Sequence, residues 1–391
     1  MYIVYPDYKN SIVNLVSSVL ATYNVKTDHS PLTLIDLEEL KQKKNVVLFV
    51  IDGFGLNLLK RYATDLKFLN KNLVSSITSV CPSTTSAAIT SLISGKTPWE
   101  HGVIGWTLFF KEFAKYLDFL PIRDSINGEL LDAEHYDLSE IFKTRNIFQK
   151  ISEKSPEVQQ YFMTHEELST STNTMKNAKP AEIIPYPDHQ ELFRKIKNLL
   201  LTESSRKFIF IYTSSPDKIE HQTGVYTDKV LDFIREIDSG ISKLSQKAAG
   251  SDTAILITAD HGLTDIKKYY YVNEHKQLMD SLIMPTSPEP RFISFFVKKH
   301  KFAQFEKAFK KYKENFILFD REKFIKSKLL GTGKVHPKLD DFLGDFIAVA
   351  ISDQALKSIY RQNGKWKKEF LAHHAGLTAD EMLVPLIEIN L

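Results

Sequence analysis

The chain has 391 residues, 43% of them hydrophobic and 25% charged, with 15 glycines and 15 prolines; this excludes collagen-like, low-complexity and broadly disordered classes. Its 51 basic and 48 acidic side chains leave a net charge of +3, too balanced for a dedicated nucleic-acid binder. The single cysteine, Cys81, can make neither an internal disulfide nor a thiolate zinc cluster, so any metal site must rest mainly on histidines and carboxylates.

The opening MYIVYPDYKN places Pro, Asp and Lys where a signal peptide needs an apolar core. The following Ile12–Leu20, broken by Asn14, Ser17 and Ser18, predicts an amphipathic helix. No run approaches the ~18 consecutive apolar residues of a membrane span. A cytoplasmic protein without a membrane partner is expected. Val46–Ile51 (VVLFVI) is apolar on both faces and ends on Asp52. Helical patterns follow over Gly55–Tyr62 and Thr85–Ile93, then a mixed stretch from about 107 to 187 with a polar piece at Ser169–Asn177. A helix over His189–Leu201 precedes the run Phe208–Tyr212, which leads to Asp217. A long helix over Thr227–Lys247 precedes Ala254–Thr258, which stops just before Asp260. Alternating helices and two-faced apolar strands predict an α/β fold, a doubly wound, mostly parallel sheet with helices on both faces.

Pro285, Pro288 and Pro290 then introduce a strand at Phe292–Val297, a helix from about Phe302 to Lys313 with Phe302, Phe305, Phe309 and Tyr312 on one face, and a strand at Phe346–Ala350. These elements predict a small α+β cap at 266–370, inserted into a catalytic core of 1–265 and 371–391.

Two familiar loops fail on inspection. Asp52-Gly53-Phe54-Gly55 lacks the third glycine of a dinucleotide fingerprint, since position 58 is Leu58. Ser94-Gly95-Lys96-Thr97 lacks the first glycine of a phosphate loop, Thr90 standing there, and Gly95 reads better as a helix C-cap.

What remains is a set of carboxylates and imidazoles near strand ends, where ligands gather in open α/β sheets. Asp217 and His221 are spaced to share one face of a helical turn. Asp260 and His261 follow a strand directly, Asp52 follows another, and His374 lies in HHAGLT. Singly, each reads as a surface pair, a helix cap or a structural histidine. Together they offer enough donors for two adjacent divalent ions, of a kind that suits zinc, with manganese or iron as alternatives. Two such ions ~4 Å apart can clamp the attacking and leaving oxygens of a displacement at phosphorus. The hydroxyls of Ser83, Thr84, Thr85 and Ser86 precede a helix, whose N-terminus favours an anion such as phosphate.

LFVIDGFG, CPSTTSAAITSLISGKTPWEHGVIGW, SSPDKIEH, ITADHG and HHAGL, in that order, resemble the alkaline phosphatase superfamily, and within it the type I phosphodiesterase/nucleotide pyrophosphatase branch. The resemblance implies a phosphate-ester hydrolase acting on a small molecule, with Thr85 as nucleophile. It implies one metal on Asp217, His221 and His374, and a second on Asp52, Asp260 and His261 with Thr85. Ala88 and Ser86 stand where the branch commonly has an asparagine and an aromatic residue. Phosphate contact and stacking are therefore expected from elsewhere, the Trp106–Phe110 loop or the cap. A monoesterase, phosphonate hydrolase or phosphomutase on the same fold is the alternative reaction. A binding protein with a degenerate site, using the basic aromatic stretch Lys298–Lys313, is the alternative class.

Overall fold

The computed structural model of the chain describes residues 2–120, 122–132, 135–202, 205–358, 361–362, 365–366 and 369–391. Its central sheet has seven strands: β1 (Asn45–Ile51), β2 (Leu73–Thr78), β3 (Gln159–His165), β4 (Glu182–Tyr186), β5 (Lys207–Thr213), β6 (Thr253–Thr258) and β7 (Leu383–Asn390). They lie in the order β2-β7-β6-β1-β5-β3-β4. β1 runs parallel between β5 and β6, and β3 parallel between β5 and β4. β7 returns antiparallel between β6 and β2. The fold is the expected α/β class.

Among the helices around this sheet are α1 (Ile12–Thr22), α2 (Thr85–Ser94), α3 (His189–Leu201), α4 (Asp217–Thr223) and α5 (Asp228–Lys247). β1 and β6 are buried along their whole length and β5 nearly so, because layers cover both faces of the sheet and the apolar runs have no solvent side. α1 departs from its expected amphipathic form. All its residues but Ala21 are buried, since its polar side chains are bonded internally. Asn14 accepts from Ser11 and donates to the Ser30 carbonyl, while Ser17 and Ser18 donate back to Val13 and Asn14. A serine that satisfies its own helix is as easily buried as an alanine.

The cap elements form a four-stranded antiparallel sheet of Ser287–Pro288, Phe292–Phe295, Phe346–Ala350 and Phe316–Asp320. The helix Phe302–Phe309 continues as a 3₁₀ turn to Tyr312, which keeps Phe305, Phe309 and Tyr312 buried against Phe295, Phe316 and Phe346. A three-stranded meander, Thr107–Phe110, Lys115–Asp118 and Arg123–Asp124, shares a core with Phe292, Phe342 and Ile347 of the cap. This second core is thus drawn from two stretches far apart in sequence.

Candidate active site

The strand register brings the first ligands together. Ile51 pairs with Thr213 and Val50 with Thr258, so β1, β5 and β6 end nearly level and release Asp52, the turn to Asp217, and Asp260 on one edge. The Asp217 N–H bonds the Asp52 carbonyl at 3.0 Å, tying the start of α4 to the end of β1. Gly53 permits that approach: its φ is +80°, and a Cβ there would lie 2.8 Å from the Asp217 Cα. His221 follows one turn along α4. His374 arrives from the other end of the chain, just after the short strand Ala372–His373 that pairs antiparallel with Thr264–Asp265.

Asp52 and Asp260 are each held by one oxygen, and each of the three carboxylates keeps an oxygen unpaired. Asp52 Oδ2 accepts from the Tyr212 hydroxyl, and Asp260 Oδ1 accepts from the N–H groups of Gly53 and His261 at 3.2 and 2.9 Å. Asp52 Oδ1, Asp217 Oδ1 and Asp260 Oδ2 are buried without a hydrogen-bond partner among the described residues. Asp52 Oδ1 and Asp260 Oδ2 lie 3.7 and 3.3 Å from His261 Nε2. Asp217 Oδ1 is 3.3 Å from His221 Nε2 and 3.8 Å from His374 Nε2. His221 Nδ1 is bonded to the Ala372 carbonyl at 2.8 Å, which leaves Nε2 to face the cluster. Donor atoms of Asp52, Asp260 and His261 lie within 4.8 Å of one another, as do those of Asp217, His261 and His374. His261 therefore stands between the two groups, and His221 joins through Asp217.

Burial and the charges of Asp260 and Asp217 push the Asp52 carboxyl well above its ordinary range. Burial raises Asp260 as well. Burial and the neighbouring His261, His221 and His373 drive His374 well below its usual value. Like charges packed this closely, with oxygens turned inward and unpaired, call for cationic partners. The donor set fits a pair of divalent ions. The adjoining His373 is differently engaged, its Nδ1 accepting the His374 N–H at 3.0 Å.

Thr85 is the first residue of α2, and its Oγ1 lies 3.1 Å from His261 Nε2. The flanking hydroxyls turn elsewhere: Ser83 donates to the Gly376 carbonyl at 2.9 Å and Thr84 to Glu289 Oε1 at 2.7 Å. Ser86 and Ala88 are fully buried, and neither lines the pocket. Trp106 and Thr107 of the loop do line it. Gly95 is the left-handed C-cap of α2, as its sequence context predicts.

A pocket of about 710 Å³ opens beside Thr85, Asp217, His221 and His374, and its lining also includes Trp106, Arg123, Tyr269, Glu289 and Phe370, the last stacked on the His221 ring. Several functional positions had no motif to mark them. Tyr212 is hidden in an apolar strand. Glu289 accepts from the Trp106 N–H at 2.6 Å as well as from Thr84, and burial raises its carboxyl to about 7. Arg291, fully buried, binds both oxygens of Glu381 at 2.6 and 2.7 Å and the carbonyls of Gln354 and Ser352. Glu381 in turn accepts the N–H groups of Gly376 and Thr378, so this pair clasps the segment that carries His374. The available signal was charge placed beside proline, in Pro288-Glu289-Pro290-Arg291.

A family model described as type I phosphodiesterase/nucleotide pyrophosphatase matches residues 46–376. Among solved structures, murine ectonucleotide pyrophosphatase/phosphodiesterase 5 is similar with a TM-score of 0.62 at 16% identity, over 88% of this chain and 87% of that one. The human protein of the same name gives 0.61 at 17%, over 89% and 87%. Phosphonoacetate hydrolase from Sinorhizobium meliloti 1021, in complex with phosphonoformate, gives 0.61 at 17%, over 88% and 89%. At these identities the likeness is one of fold. Among curated proteins nothing matches.

Proposed function

The chain belongs to the type I phosphodiesterase/nucleotide pyrophosphatase family and is a phosphoric ester hydrolase, and from that premise we propose that it works through a Thr85 nucleophile beside two divalent metal ions. The observation that carries this reading is the convergence of unpaired carboxylate oxygens from Asp52 and Asp260 on His261 Nε2, with Thr85 Oγ1 3.1 Å from the same nitrogen. Asp52, Asp260 and His261, with Thr85, would hold one ion, and Asp217, His221 and His374 the other. Zinc suits these donors, and manganese is the alternative. Bound there, such ions supply positive charge that lowers the pKa of an oxygen ligand and offsets negative charge developing on phosphorus.

The chain's own residues then divide the work. The first turn of α2 leaves N–H groups without intrahelical acceptors, which orient the non-bridging phosphate oxygens. Thr85 Oγ1 loses its proton to solvent as it bonds to phosphorus in line, and the ester oxygen departs on the opposite side. Water then attacks the phosphothreonine, releasing phosphate and returning the hydroxyl. Thr84 cannot take this role while it donates to Glu289. The fold neighbours include an inactive threonine-to-alanine variant of the murine protein in complex with AMP, and a complex of the hydrolase with phosphonoformate. A small phosphate-ester or phosphonate ligand also suits a pocket of about 710 Å³.

The test is a panel of a nitrophenyl phosphate monoester, a nucleotide phosphodiester and a phosphonate, each with chelator, zinc or manganese. Metal-dependent turnover with acid-trapped phosphate on Thr85, located by mass spectrometry, is expected. Full activity in a metal-free preparation overturns the two-metal reading. Near-normal turnover by Thr85→Ala overturns the nucleophile.

A further inference from the structure

Among the arginines whose side chains are described, all but one are spoken for. Arg145, Arg194, Arg235, Arg291 and Arg321 pair with carboxylates, Arg206 binds three backbone carbonyls, and Arg61 lies over the Tyr226 ring. Arg123, on the last strand of the meander, has no side-chain hydrogen bond, ion pair or ring contact among the described residues, although its Nε is buried. It lines the same pocket as Thr85. Its cross-strand neighbour Asp118 does not neutralise it, since Asp118 Oδ1 accepts from Thr107 at 2.8 Å and no ion pair joins the two. The other cation of the pocket, Lys357, is already paired with Glu369.

A guanidinium kept partly out of water with no partner is costly, and its planar fork matches carboxylate or phosphate oxygens. The scissile phosphoryl group has its own receptor in the metal cradle and the start of α2. We propose that Arg123 receives a second anionic group of the substrate, so that the enzyme selects phosphoryl compounds bearing a further carboxylate or phosphate beyond the reacting phosphorus. This deepens the hydrolase reading above and rests on it. Trp106 and Tyr269 line the pocket with Arg123 and give the intervening part of the substrate an apolar passage. Neutral leaving groups leave Arg123 unpaired and are disfavoured for that reason.

The test uses the full chain with zinc and measures binding by calorimetry. Carboxymethyl- and carboxyethylphosphonate supply the carboxylate arm, methylenediphosphonate the phosphate arm, and ethyl- and propylphosphonate the matched compounds without a second anion. The intact protein is expected to favour at least one doubly anionic probe over its alkyl counterpart by about tenfold or more, a charge-assisted hydrogen bond's worth. Arg123→Gln is expected to abolish that preference while leaving alkylphosphonate affinity within about twofold, and Arg123→Lys to restore part of it. Which arm is favoured identifies the second group. Equal affinity for all probes, or a preference that survives Arg123→Gln, overturns the proposal and leaves the hydrolase reading intact. A uniform loss across the alkylphosphonates also overturns it, since Arg123 would then serve the scissile phosphoryl group. If no probe binds and no ester is hydrolysed, the hydrolase mechanism itself fails.

Discussion

At the edge of the sheet, five of the six candidate ligands stand within a few residues of β1, β5 or β6 or on the helix that follows. The remaining wall of the pocket takes Trp106, Arg123, Glu289 and Phe370 from four separate stretches of chain. The cradle is fixed by strand register: once β1, β5 and β6 end level, Asp52, Asp217 and Asp260 must meet. The wall is fixed by long-range polar contacts such as that of Glu289 with Thr84, and the sixth ligand, His374, depends likewise on a distant buried pair, Arg291 with Glu381. On the mechanism proposed above, chemistry would rest on backbone geometry, and selection of the substrate on side chains that a small repacking can move. Substitutions in the cradle should remove catalysis and spare the fold, whereas substitutions in the wall should alter stability or preference and spare the chemical step.

Thr85→Ala gives the largest contrast. A loss of about 10⁴-fold or more in turnover is expected, with metal content by elemental analysis little changed because the Asp and His donors remain. Thr85→Ser should keep measurable activity. A comparable loss from Thr84→Ala would erase the distinction between cradle and wall.

Next in size is Arg291→Met. It leaves Glu381 buried and unpaired, which costs about 3–5 kcal/mol and should appear in urea unfolding. Adding Glu381→Leu should recover part of that loss, because both charges are then gone. An unfolding midpoint unchanged in Arg291→Met would mean the clasp is not what holds the His374 segment.

Glu289 offers a pH-dependent test in the metal-free protein. Burial raises its carboxyl from 4.5 to about 7, so the folded chain keeps a proton that the unfolded chain has released over that interval. Stability should therefore fall as pH rises from about 4.5 to about 7, with a contribution of up to about 3 kcal/mol. Glu289→Gln retains an acceptor for Thr84 and Trp106 and should flatten that part of the stability profile. An unchanged slope would remove Glu289 as its source.

The smallest effect is expected from His373→Ala, less than about tenfold in turnover, against a loss of most activity in His374→Ala. The two rings are adjacent, but His373 accepts a backbone N–H while His374 joins the group with Asp217 and His261. Reversed effects would exchange their assignments and leave the mechanism standing.

From residue order alone, the two-faced runs before Asp52, Asp217 and Asp260 determined a parallel α/β sheet with carboxylates at its carboxyl edge, because burial on both faces demands continuous apolar strands. The helix pattern behind Thr85 likewise placed hydroxyls at an anion-favouring terminus. Sequence patterning misjudged α1, since polarity along a helix is read as a solvent face when Asn14, Ser17 and Ser18 are in fact satisfied by neighbouring main chain. It also had no means of joining Arg123, Glu289 and Glu381 to the site. Periodicity reports which face of an element is apolar, whereas a buried charge is tolerated only through a partner distant in the chain, and the tertiary structure alone decides which partner that is. The resemblance already implied Thr85 rather than Thr84; what the tertiary structure adds is that these chemically alike hydroxyls differ in partner, Glu289 standing opposite Thr84 and His261 opposite Thr85.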